Sequence, residues 1–408
     1  MLTDQGKPYY NSTPGQGLLP QQEMLKTDNK EKLISFGIPK EITHYESRIL
    51  LTPEDVGILI NRGHKVIFET GAGNGARFSD QQYVDQGASL VYSAAEAYMA
   101  DIILKIMAPT LKEIEMMKPR QVLFSTLNLV DDNKAYFQAL MKKKITACYI
   151  EGIRDDDGSY PIMRAMGEIA GNACIYLASR YLSDPRMGQA RMLGGFSGVE
   201  PTEVVILGAG TVAEYAARTA LGMGAHVRIF DPSIQKIRRL QSLINPRVYS
   251  GLLNQNNISK ALPNADVVIC ALFSHQRVTP CLISEDMVRS MKQGAVLLDV
   301  SIDRGPCAET SHLTTLKSPV YESYGVIHYC VPNLLSRFSN TASIALSNYF
   351  MSFFCDMADN GGITNTIIKN LGLRNAAYIY HGVLTKEFIS HKTGLPYKDI
   401  NLLISSMH

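Results

Sequence analysis

Short apolar runs that alternate with helical stretches, and a glycine turn bracketed by two such runs, predict an α/β chain of two doubly wound lobes with a cleft between them. At 408 residues the chain is too long for one typical core, which makes two domains the starting expectation. Forty basic residues face thirty-eight acidic ones, so nothing invokes nucleic acid or a membrane surface. A hydrophobic content of 46% suits a soluble globular enzyme. The seven cysteines are scattered without a C-x-x-C pair, which suggests neither a disulfide framework nor a metal site and fits a reduced, cytoplasmic setting.

Residues 1–32 are polar and rich in Gln, Pro and Gly, with no signal-peptide core, and read as a flexible or partner-docked extension. From Leu33 onward LISFGIP, HKVIFETG, ADIILKI, QVLFSTLNL and ITACYIE are strand candidates. PEDVGILINRG and NKAYFQALMKKK lie between them as helices. The first helix has a clean start, with Thr52 as cap, Pro53 at the first helical position and Asp55 three residues after the cap. The GAGNG run at 71–75 has no helix opening directly on it and no acid-ended strand following, so it reads as a structural turn. After Glu151 come a charged loop and a long helix over about 164–182.

Residues 203–231, EVVILGAGTVAEYAARTALGMGAHVRIFD, form the unit on which the rest is organised. An apolar strand at 204–207 runs into a sharp turn at Gly208 and Gly210. Without a β-carbon at Gly210 the backbone can approach a pyrophosphate, and the helix opening at Thr211 and Val212 aims free N–H groups at that charge. Ala213 stands at the third glycine position, where a small side chain allows close helix–strand packing. Asp231 ends the second strand about twenty residues on, where a carboxylate can accept hydrogen bonds from a ribose diol. That acid favours NAD over NADP, although Lys236, Arg238 and Arg239 follow closely. A Rossmann-like lobe is the expectation.

DVVICALF, AVLLDVSID and VIHYCVPN continue that lobe as strands, with EDMVRSMKQG as a helix. Ligands of open α/β sheets lie beyond the C-terminal strand ends, which picks out Leu272, Asp303 and Asn333. From Thr341 an apolar helix returns the chain to the first lobe, which the tail completes.

A dehydrogenase acting on a small acid needs cations for the carboxylate and a group to manage the proton. Arg48, in a loop after the first strand, could grip a carboxylate bidentately, though position alone suggests a solvated surface arginine. Lys105 interrupts an apolar run and either emerges into solvent or points into the cleft. Asp303 ends a strand and is either functional or a turn cap. His44, His64, His226 and His312 read as surface residues, and His328 as a hydrogen-bonded structural group.

The motifs GIPKE, ESRILLTPEDV, GHKVIFETGAGNG, ADIILKI, EVVILGAGTVA, LLDVSIDRG and HYCVPN, in that order, resemble the alanine dehydrogenase family. That family is grouped with the N-terminal domain of the transhydrogenase α-subunit, and the likeness runs over 33–403. It implies NAD-dependent interconversion of L-alanine with pyruvate and ammonia by a homohexamer of two-lobed subunits. By motif, Arg48 matches the arginine that binds the substrate carboxylate, and Lys105 the lysine that contacts its carboxylate and carbonyl region. Asp303 matches the aspartate that positions the reacting groups. Thr211 and Val212 match the pyrophosphate turn, Asp231 the ribose acid and Lys236 a basic adenosine contact. Ser250 falls near the adenine, and Val300, Ile302 and Asn333 near the nicotinamide.

Three positions depart from the family pattern. Asn128 stands where a proton-carrying histidine is usual, Gly167 replaces a serine that touches the cofactor, and His312 replaces an arginine. Asparagine can donate a hydrogen bond but has no titratable proton near neutral pH. The expected layout is a polar extension over 1–32, a substrate domain over 33–165 and 341–408, and an NAD-binding domain over 166–340. The expected partner is a small amino or oxo acid. The alternatives are an opine- or saccharopine-type dehydrogenase, and an NAD-binding protein with weak or lost catalysis because of Asn128.

Overall fold

A computed structural model describes residues 33–43, 45–127, 133–244, 248–272, 280–359 and 362–405. His44, Asn128 and the 1–32 extension therefore lie outside the described residues.

Two sheets carry the chain. The first orders its strands Val383–Leu384, Ala377–Tyr380, Thr146–Tyr149, Val122–Ser125, Ile102–Leu104, Ser35–Ile38, Lys65–Glu69 and Ser89–Val91. The second orders Val320–Ser323, Val326–Tyr329, Val296–Asp299, Val267–Cys270, Glu203–Leu207, His226–Asp231 and Tyr249–Leu252. Strands such as Val122–Ser125 and Val267–Cys270 are buried at every position. Unbroken apolar runs of this kind belong to parallel sheets covered by helices on both faces.

Both sheets are parallel except at their edges. Ala377–Tyr380 runs antiparallel to Thr146–Tyr149 and to Val383–Leu384, and Val320–Ser323 runs antiparallel to Val326–Tyr329. Two-residue loops make both hairpins, Tyr324–Gly325 at φ 54° and 76° and His381–Gly382 at φ 49° and 82°. Positive φ at both central positions matches the right-handed strand twist, so a hairpin closes without a crossover. Neither Tyr-Gly nor His-Gly carries the usual turn signature, and Val320–Ser323, Ala377–Tyr380 and Val383–Leu384 went unforeseen. Ser89–Val91 and Tyr249–Leu252, three and four residues long, were missed because their apolar patterns are too short to detect.

Each sheet has one place where the chain reverses its direction of growth. In the first it steps from Ser35–Ile38 outward to Lys65–Glu69 and Ser89–Val91, then returns to Ile102–Leu104 on the other side. In the second it steps from Glu203–Leu207 through His226–Asp231 and Tyr249–Leu252, then returns to Val267–Cys270. A crevice opens beyond the C-terminal strand ends at such a switch point.

Two long helices join the sheets. Pro161–Leu182 begins three residues before the expected Arg164, because Pro161 occupies the first turn, where its missing N–H costs nothing. It lies directly on Thr211–Gly222: a β-carbon at Gly171 would stand 2.5 Å from the Val212 carbonyl oxygen. Its Met166 end belongs to the first core, and its later turns to the second. Ser339–Asp359 returns the chain to the first sheet. Its Ser343 and Ser347 hydroxyls accept from the backbone N–H groups of Ile49 and Thr52 at 2.9 and 2.8 Å, which fixes both ends of the segment after Arg48. Thr52 caps the Pro53–Asn61 helix as expected, accepting from the Asp55 N–H.

Candidate active site

The Gly208–Thr211 turn stands at the second sheet's switch point. Gly208 has φ 117°, and a β-carbon there would meet the Ala271 carbonyl oxygen at 2.5 Å, so the position admits only glycine. Gly210 is different: a β-carbon would find nothing within 4 Å, so open space lies over the turn. Gly210 is also the N-cap of the Thr211–Gly222 helix and supplies no side-chain hydrogen bond to it. An uncapped twelve-residue helix facing open space fits the pyrophosphate of a dinucleotide. Thr211 and Val212 are half-buried at this helix start.

Asp231 is 2% exposed and holds the turn from the neighbouring strand. Its carboxylate oxygens accept from the Ala209 N–H and the Ser233 N–H, both at 2.7 Å. The acid thus shapes the turn, and each oxygen keeps a second lone pair. Lys236 is exposed on the following helix, and the half-buried Ser250 accepts from the Gln241 amide at 2.9 Å. Gly167 faces the turn: a β-carbon there would lie 3.1 Å from the Thr211 Cβ. His312 is exposed and stacks on Tyr321 with ring centroids 3.6 Å apart.

Arg48 and Lys105 stand at the C-terminal side of the first sheet's switch point. Neither is in bulk solvent, which corrects the reading of Arg48 as a surface arginine and leaves Lys105 pointing inward. Glu46 grips Arg48 in a fork, taking Nε at 2.8 Å and Nη2 at 2.7 Å. The same carboxylate accepts the Arg48 and Ser47 backbone N–H groups, which bends the loop around it. Nη1 of Arg48 meets the Met166 thioether at 3.8 Å, a weak acceptor. Lys105 Nζ pairs with Glu113 at 2.6 Å and with Glu41 at 3.3 Å. Glu113 is held by its own capping box with Thr110 and accepts from the Tyr98 hydroxyl at 3.1 Å.

Four carboxyl groups therefore surround two cations, and the four divide evenly. Burial raises the proton affinity of all of them. Arg48 more than offsets it at Glu46, and Lys105 at Glu113, so both carboxyls lie below their ordinary value. At Glu41 and Glu151 burial wins: Glu41 is raised despite Lys105, and Glu151 is pushed up to about 7 despite Arg48 and Arg304. Burial opposes the Arg48 charge too, but Glu46, Glu151 and Glu41 together raise its affinity for the proton. Each cation thus has one ionised partner and one carboxyl that resists ionisation.

Asn333 ties the two sheets together. It adopts the left-handed region at φ 53° beyond the Val326–Tyr329 strand and donates to Glu46 Oε2 at 2.8 Å and to the Tyr45 carbonyl at 2.9 Å. Ser336 adds a hydrogen bond to Glu46 Oε1 at 3.2 Å. The second lobe thereby holds the carboxylate that holds Arg48.

Asp303 needs a correction. The strand stops at Asp299, and Asp303 stands in the 3-10 turn Ile302–Arg304. Asp299 is the strand-end acid, 1% exposed, accepting from the Ser301 hydroxyl at 3.0 Å and the Cys307 N–H at 2.8 Å, so it folds the loop that presents Asp303. Asp303 is exposed, yet surrounding protein raises its carboxyl affinity for the proton, partly offset by Arg304. Val300 is half-buried and Ile302 is 7% exposed beside it. His64 is also corrected: it is 6% exposed and packs edge-on to Phe36. His328 is fully buried, with ring hydrogen bonds to Thr310 and Val326, as the sequence suggested.

Sequence reasoning missed Glu41, Glu46, Glu113 and Glu151. Glu46 could have been found, since a carboxylate two residues before a proposed anion-binding arginine is its nearest competitor.

A glycine turn at one switch point and two carboxylate-held cations at the other define the class: a two-lobed α/β oxidoreductase dependent on a pyridine nucleotide. The family model for the alanine dehydrogenase/PNT N-terminal domain matches residues 37–170, and that for the C-terminal domain matches 174–387. The chain belongs to the alanine dehydrogenase/PNT family. It is 38% identical to the alanine dehydrogenase of Methanococcus maripaludis over 88% of this chain and 97% of that one. With the alanine dehydrogenase of Bacillus subtilis the identity is 34%, over 88% and 95%. A solved L-alanine dehydrogenase superposes with a TM-score of 0.81 at 34% identity, covering 88% of this chain and 99% of that one. A transhydrogenase from Sinorhizobium meliloti gives 0.72 at 24% identity over 87% and 99%, a likeness of fold alone.

Proposed function

We propose that this protein catalyses the NAD-dependent oxidative deamination of a small L-amino acid, L-alanine first, and the reverse reductive amination of pyruvate. The observation that carries this reading is Arg48. It is half-buried at a switch point and fixed through Nε and Nη2, while its Nη1 faces only a thioether among the described contacts, so a substrate carboxylate can be received there. Lys105 would hold the same carboxylate, Asn128 would donate to the carbonyl or carbinolamine oxygen, and Asp303 would orient water or ammonia. Bound at the Gly208–Thr211 turn, NAD would accept the hydride from the substrate α-carbon. Asp231 supports the choice of NAD, since a 2′-phosphate beside it would be repelled.

This reading divides the chain into a substrate domain over 33–165 and 341–408 and a cofactor domain over 166–340, preceded by the 1–32 extension. It takes the protein to be a cytoplasmic homo-oligomer, hexameric as its resemblance implies. Among the described residues no helix is long and apolar enough to cross a membrane.

The test mixes purified protein with NADH, ammonium and a panel of 2-oxo acids while nicotinamide absorbance is followed. Steady turnover with pyruvate is the expected result. Turnover only when a second amino acid replaces ammonium would transfer the protein to the opine type. NADH binding without turnover on any acid would make it a nucleotide-binding protein, a reading favoured by the pairing of both cations with carboxylates of their own lobe.

A further inference from the structure

Glu151 is the one acid of the cluster whose role nothing above has assigned. It lies on the 3-10 turn Ile150–Gly152, immediately beyond the Thr146–Tyr149 strand, which pairs with Val122–Ser125. Its Oε2 is buried and, among the described residues, accepts no hydrogen bond. Around the carboxyl group stand Arg48 of the same lobe, Arg304 beside Asp303, and the Leu127 backbone amide. The Tyr149 hydroxyl feels its charge, and Glu46 and Glu41 act together with it on Arg48. Leu127 directly precedes Asn128, the position that cannot carry a proton.

An orphaned carboxylate oxygen in a buried site costs stability unless something else uses it. We infer that Glu151 is the proton carrier of this site, taking over the acid–base work that Asn128 cannot perform. The inference rests on the dehydrogenase reading above. In the amination direction ammonia attacks the carbonyl carbon, forming the C–N bond and sending the C=O π electrons to oxygen. The nitrogen then loses a proton to the Glu151 carboxylate. Protonated Glu151 returns that proton to the oxygen, giving the carbinolamine. The carboxylate then takes a second proton from solvent and gives it to the hydroxyl, so the C–O bond breaks and water leaves as the C=N bond of an iminium forms. A hydride from the nicotinamide completes the carbon. Glu151 ends as it began, and Arg48 beside it keeps the substrate carboxylate within reach. A carboxyl group with a proton affinity matched to neutral pH is suited to both halves of this exchange.

Two measurements on the full-length protein test it. The first is free of turnover: difference infrared spectra follow the protonated carboxyl band against pH, with Glu151→Gln to assign it. A band absent from the variant and titrating near pH 7 is expected; titration below pH 5 would overturn the inference even if the protein is an active dehydrogenase. The second compares pyruvate amination in wild type, Glu151→Gln and Glu151→Asp. Glu151→Gln should lose about a hundredfold to ten-thousandfold in kcat, with KM for pyruvate little changed, and should lose the kcat limb near neutrality. Glu151→Asp should keep a shifted limb. If wild type turns over and Glu151→Gln keeps both its kcat and its limb, Glu151 is a structural residue and the inference fails alone. If wild type fails on every acid, the dehydrogenase reading falls and this mechanism with it, whatever the infrared titration shows.

Discussion

The Glu46 carboxylate grips the Arg48 guanidinium through two parallel hydrogen bonds of 2.8 and 2.7 Å, and Asn333 of the other lobe grips Glu46 in turn. The arginine is thus aimed by contacts that span both sheets. A planar fork makes this possible, and an ammonium group cannot reproduce it.

Arg48→Lys keeps the charge and loses the fork. The expected result is a rise of about tenfold to a hundredfold in KM for the oxo acid, equivalent to about 1.4–2.8 kcal/mol. Steady-state kinetics with pyruvate varied, beside a fluorescence titration of NADH, checks it. An unchanged KM would mean that the substrate does not rest on this residue.

Gly75 supports the same loop from below. A β-carbon there would lie 2.8 Å from the Ser47 carbonyl oxygen, and the Gly75 carbonyl already accepts from Ser339 at 2.7 Å. Gly75→Ala must push the Ser47 backbone aside, at a cost of about 1–3 kcal/mol. Denaturant unfolding should show the loss, and KM for the oxo acid should rise while NADH affinity stays as it was. Weakened NADH binding instead would give the 71–75 turn a role it has not been assigned.

Asp231→Ala would leave the Ala209 N–H, in a residue wholly buried, without its acceptor. About 1–3 kcal/mol of stability should go with it. NADH affinity should fall as well, because the turn is no longer held. Calorimetry checks the first and fluorescence titration the second. A variant that melts and binds like wild type would contradict the organising role of this acid.

Glu151 also sets a pH dependence of stability. Its folded value of about 7 lies above the ordinary 4.5, so the folded state favours the protonated form. The contribution is fully present below pH 4.5 and is lost as pH rises through 7, a difference of up to about 3 kcal/mol. Glu151→Gln mimics the protonated form. It should be more stable than wild type at pH 8 and nearly equal to it at pH 4.5, as read from urea midpoints at both. A stabilisation equal at the two pH values would point to packing rather than titration.

Much of the site was legible because its signals are local. Gly208, Gly210 and Asp231 announce a dinucleotide turn through spacing alone, whereas Arg48 and Lys105 were candidates from position and became site residues only through the family resemblance. The carboxylates were not: Glu41 meets Lys105 only after the Ile102–Leu104 strand docks beside Ser35–Ile38, and Glu113 only when the Leu111–Met116 helix folds back onto that strand end. Asp303 was placed on a strand because the apolar run continues past Asp299, and only the burial of that earlier acid shows where pairing stops.

By itself the sequence determined the alternation of strands and helices, the nucleotide turn and the resemblance to a family, since each depends on residues within a few turns of one another. Tertiary structure alone decided that Arg48 is drawn out of solvent and aimed, that Asn333 reaches Glu46 across 287 positions of chain, and that Glu151 feels the charges of both Arg48 and Arg304. The reason is electrostatic. A charged group's behaviour is set by how much water it loses and which charges come near, and both are fixed only when distant segments pack together.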